Sequence, residues 1–96
     1  MGDIRDELNS RSSITAHIKH AEAELEKLRK QDERMQKLVR QAEELKDAIG
    51  AELGKLSDEH RQARLTWLLL VDARGDVCAH IARMRTHIEK LQEALS

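Results

Sequence analysis

Proline, phenylalanine and tyrosine are missing from this chain, and each absence excludes something. Without proline, no residue is forced to break a helix. With a single Trp as the only aromatic, neither an aromatic core nor a base-stacking nucleic-acid surface can be built. One cysteine, Cys78, permits no internal disulfide and fits a reducing compartment. Charge of neither sign is in excess, with 17 Lys and Arg against 18 Asp and Glu, and both sides of Ser57 are close to neutral. That leaves no basic domain for a phosphate backbone and no acidic tail, so no nucleic acid is expected. No apolar run approaches membrane-spanning length, and Met1 to Ser13 is polar rather than signal-like. A cytoplasmic protein without a membrane partner is the expectation.

What is present is charge and helix-forming residues: Asp, Glu, Lys and Arg make up 36% of the chain. This is the composition of long helices and coiled coils. With heptad position a at Ile4, the series Ile18, Leu25, Asp32, Val39, Lys46, Leu53 alternates with d positions Ile14, Ala21, Leu28, Met35, Ala42, Ile49, Leu56. Only Asp32 and Lys46 interrupt this seam, and a period of 3.5 residues predicts a coiled coil. Asn9 to Ser13 (NSRSS) is weak helix former, with Ser12 or Ser13 as a candidate N-cap, so residues 1–13 read as a short N-terminal extension.

Gly50 to Ser57 (GAELGKLS) is the next break. Ser57 followed by Asp58 and Glu59 reads as a helix start with acids in its first turn. A second heptad then runs through a positions His60, Trp67, Arg74, Ile81, Ile88, Leu95 and d positions Ala63, Leu70, Val77, Met84, Leu91. No strand pattern appears. The predicted fold is all-α: a long antiparallel helical hairpin over 14–96, with arm 14–53, bend 54–57 and arm 58–95. Pairing across that bend sets Leu28 against Met84 and puts Asp32 level with His80 and Ile81.

The stretch WLLLV, Trp67 to Val71, carries more apolar side chains than one seam can cover. On the first arm the stripe also widens, through Leu38 and Leu45, and the two broad regions lie level in the hairpin. A second copy of the chain, giving a two-fold bundle, is the expected cover, with Leu38, Leu45, Trp67, Leu68 and Leu70 as interface residues. The alternative is a break at Gly75 that folds residues 76–95 back as the third helix of a three-helix bundle.

Candidate chemistry is sparse. His17 and His20 share a helical face at ligand spacing, but two ligands without a Glu or Cys beside them do not make a metal site. His80 and His87 are a heptad apart, about 10 Å along the axis, too far for one ion. Asp32 opposite His80 forms the polar seam pair, which would fix register and raise the imidazole pKa. Cys78 and His80 point apart at i,i+2, so no dyad forms. Arg74-Gly75-Asp76 resembles the integrin-binding tripeptide of extracellular adhesion proteins over three residues, read as a chance match at a helix kink. Neither a catalytic set nor a cofactor site is expected. The expected function is a non-enzymatic assembly or partner-docking scaffold, taking a second copy or a helical protein. A His-dependent metal-binding or hydrolytic bundle, or a designed protein, is the alternative.

Overall fold

A computed structural model describes residues 4–96, with side chains from Ser10 onward. Two helices, α1 over Ile4–Leu53 and α2 over Asp58–Leu95, form a helical hairpin, with no strand among the described residues.

α1 passes through Asn9–Ser13 without interruption, so the expected helix start at Ser12 or Ser13 is corrected. Polar residues there cost only a few tenths of a kcal/mol each relative to Ala, and no glycine or proline adds to it. Thr15 turns its hydroxyl back onto the Arg11 carbonyl at 2.9 Å, so a side chain that could compete with the helix is accommodated on it. α2 likewise runs through Gly75 unbroken, and the three-helix alternative is not adopted.

The bend is made by two residues. Gly54 takes a left-handed φ of 91° and its N–H donates to the Gly50 carbonyl at 3.0 Å, which closes α1 with an orphan carbonyl satisfied. Ser57 then caps α2: its Oγ accepts from the His60 N–H at 3.2 Å and donates to the Gly54 carbonyl at 2.7 Å. Asp58 and Glu59 place negative charge in the first turn, where the helix dipole favours it.

The residues fall into two compact units, Met1–Arg29 with His80–Ser96, and Lys30–Ala79. In the first, Ile18, Ala21, Leu25 and Leu28 of α1 and Ile81 and Ile88 of α2 are buried, and all six are a or d positions. They are the only buried residues of the described chain.

The second unit has a different seam. Its a and d positions from Asp32 to Ile49 and from His60 to Val77 are all half-buried. The side chains at a are matched in kind: Lys46 sets its ammonium 4.9 Å from the Trp67 ring centroid, and Arg74 pairs with Asp32. Gly50 leaves room for the His60 imidazole, whose Cδ2 would lie 3.0 Å from a Cβ at that position.

Candidate docking surface

The described residues with large exposed apolar side chains are Leu38, Leu45, Leu53, Leu56, Leu65, Leu68, Leu69 and Val71. Every one lies in the Lys30–Ala79 unit, which holds no buried residue. Leu53 and Leu56 border or occupy the bend, and Leu56 is 96% exposed. The others form a belt.

Helical geometry splits WLLLV into two functions. Trp67 and Leu70, at a and d, face α1 and are half-buried. Leu68 and Leu69, at b and c, point away from α1 and join Leu65 at f, three and four residues earlier. Leu69 is 70% exposed. Val71, at e, closes one flank. Leu38 and Leu45, at successive g positions of α1, border the seam on the flank toward which Leu69 leans. Trp67 and Leu70, two of the expected interface positions, are thus half-buried in the seam of the hairpin, while Leu65, Leu69 and Val71 are exposed beside Leu68, as their heptad letters imply.

Trp67 stays half-buried because its ring has a partner. The Lys46 stem lies along the seam with its side chain 19% exposed, and its ammonium is held by both the ring face and Asp47 at 3.0 Å. Trp67 Nε1 is buried without an acceptor among the described residues, a polar group whose desolvation costs about 1–3 kcal/mol.

Asp32 is the polar node of this unit. Its Oδ1 accepts from Arg74 Nε at 3.2 Å and from the Cys78 thiol at 3.6 Å, and its Oδ2 accepts from Gln36 Nε2 at 2.9 Å. His80, the expected partner, is exposed at a g position. Arg74 sits at a, facing inward, and its long fork reaches the carboxylate. Burial raises the Asp32 pKa, but the bonds from Gln36, Arg74 and Cys78 and the Arg74 charge together outweigh it and hold the pKa below its ordinary 3.8. Arg74 therefore sits on a helix facing Asp32, so the Arg74-Gly75-Asp76 tripeptide is not presented on a loop.

His17, His20, His80 and His87 are exposed, and among the described residues no three His, Cys, Asp or Glu side chains gather as metal ligands. An open cleft of about 570 Å³ at the bend is lined by Lys46, Lys55, His60 and Arg64 with Asp47. Within the described residues no hydroxyl or thiol is hydrogen-bonded to an imidazole there or elsewhere. None of the described helices is long and apolar enough to cross a membrane. No protein-family model matches the chain, and neither a curated protein nor a solved structure matches it.

Proposed function

We propose that the chain is a non-enzymatic assembly module that docks a helical protein surface on the apolar belt of Leu38, Leu45, Leu65, Leu68, Leu69 and Val71. The observation that carries this reading is segregation: the bare leucines and the buried core occupy different units. A surplus apolar face with no role in its own core is the usual mark of an interaction surface. The chain exposes 7655 Å², against roughly 5,600 Å² expected for a compact monomer of 11.0 kDa. A partner of ordinary interface size, covering about 800 Å² of this chain, would take up roughly two fifths of that difference.

The test is circular dichroism and light scattering on the native chain and on the double variant Leu65→Glu/Leu69→Glu. A native chain that associates supports the reading, as does a monomer whose double variant keeps its helicity. A native monomer whose helicity collapses in the variant would place these leucines inside its own fold and overturn it.

A further inference from the structure

Resting on that docking reading, we infer that the occupant of the belt is a second copy of this chain, its α2 packed antiparallel on the first about a two-fold axis at Leu68–Leu69. The argument is the order of charge along one face. Arg61, Arg64, Leu65, Leu68, Leu69, Asp72 and Asp76 fall within an arc of about 140° on the side of α2 away from α1. All seven are exposed, and the four charged side chains take part in none of the ion pairs of the described residues. Between Arg61 and Asp76 the face reads basic, apolar, acidic, with Asp58 before this stretch and Arg83 beyond it.

A two-fold axis makes a patch meet itself, so residue i of one copy contacts j of its partner and j contacts i. Antiparallel pairing centred on Leu68–Leu69 sets Arg61 against Asp76 and Arg64 against Asp72, and does so twice. Leu65 then lies over Val71 and Asp72, and Leu68 over Leu69. A face meant for an unrelated protein has no need to be complementary to itself. Gly75 lies on the same face, level with Arg61 and Gln62 of the other copy, and apart from its own helical turn none of the described residues comes within 4 Å of where its Cβ would be. A glycine that costs about 1 kcal/mol in a helix interior, with no close neighbour of its own, suits a place where a second backbone or a long side chain approaches.

Leu65, Leu68 and Leu69, the belt side chains on this face, expose roughly 300 Å², about two thirds of the apolar share of a standard interface of ~800 Å² per partner, and the flanking Leu38, Leu45 and Val71 border it. With a net charge of −1, two copies meet almost no overall repulsion.

The test uses light scattering and circular dichroism on the full chain and two charge-swapped variants, Arg61→Asp/Arg64→Asp and Asp72→Arg/Asp76→Arg. The native chain should have twice the mass of 11.0 kDa at micromolar concentration. Either variant alone brings like charges together at both ends of the interface and should associate on the order of a hundredfold more weakly. An equimolar mixture restores both ends, and the dimer mass should return, with helicity if either variant had lost it. A folded native monomer would overturn the second-copy inference and leave the docking surface for a different protein. Variants that associate as the native chain does, or a mixture that stays monomeric, would overturn this geometry.

Discussion

Asp32 Oδ1 accepts a hydrogen bond from Arg74 Nε at 3.2 Å, tying α1 to α2 across 42 positions of sequence. The Arg74 side chain is 39% exposed and that of Asp32 only 18%, so solvent screens one end of the pair far more than the other. Removing Arg74 strands the carboxylate; removing Asp32 frees a guanidinium that can turn to water. Arg74→Ala should therefore destabilise the hairpin more than Asp32→Ala does. In a double-mutant cycle the coupling should be about 1 kcal/mol, read from urea unfolding.

The same carboxylate makes stability depend on pH. Its folded pKa lies below the unfolded value of 3.8, so the unfolded chain takes up the proton first as pH falls. The stabilisation is fully present above pH 3.8 and is lost as pH drops through the folded pKa. Thermal melts of the native chain and Asp32→Asn should differ most near neutrality. The gap should close in acid, and a gap independent of pH would contradict the assignment.

Two glycines should respond to alanine with opposite signs. Gly54 holds φ at 91°, where an L side chain is strained, and Gly54→Ala should cost about 1 kcal/mol. Gly75 sits in regular helix with open space around it, so Gly75→Ala should raise hairpin stability by about 0.5–1 kcal/mol. Denaturant unfolding at the lowest workable concentration keeps assembly out of the comparison.

Truncating the buried and bare apolar residues should separate the two units. Ile81→Ala or Ile88→Ala removes a core side chain and should cost about 2–4 kcal/mol, a large share of what so small a core supplies. Leu69→Ala, at a 70% exposed position, should leave dilute-solution unfolding within about 0.5 kcal/mol. Equal losses at both sites would mean that Leu69 is covered within the monomer.

Lys46→Met keeps the stem that covers Trp67 and removes the ammonium 4.9 Å from its ring. The cost should be at most about 1 kcal/mol, while Lys46→Ala, which also uncovers the ring, should cost more. Trp67 is the sole aromatic, so its fluorescence reports the change directly. A red shift is expected for Lys46→Ala and little shift for Lys46→Met.

Much of this fold is legible in the heptads. The buried residues Ile18, Ala21, Leu25, Leu28, Ile81 and Ile88 are seam positions by spacing alone, and no strong helix breaker competes with them. Two things were less legible. Five apolar residues in a row look like one broadened stripe, yet steps of about 100° send Trp67 and Leu70 inward and Leu68 and Leu69 outward. Pairing by level predicted His80 as the partner of Asp32, but His80 is an exposed g position while Arg74, at a, faces into the seam and binds the carboxylate. Direction on the helix outweighed level. At Asn9–Ser13, local caps suggest a start, while continuation costs little and α1 runs on.

The division between a buried core and bare leucines implies uneven timing within the chain. Backbone amides of Lys30–Ala79, where no side chain is fully covered, should trade their hydrogens for deuterium fastest, through local openings. Those around Ile18–Leu28 and Ile81–Ile88 should exchange last. Whatever settles on the leucines would slow the fast set and leave the slow set nearly as it was, so the footprint of an occupant would be written in the part of the chain that holds its hydrogens least.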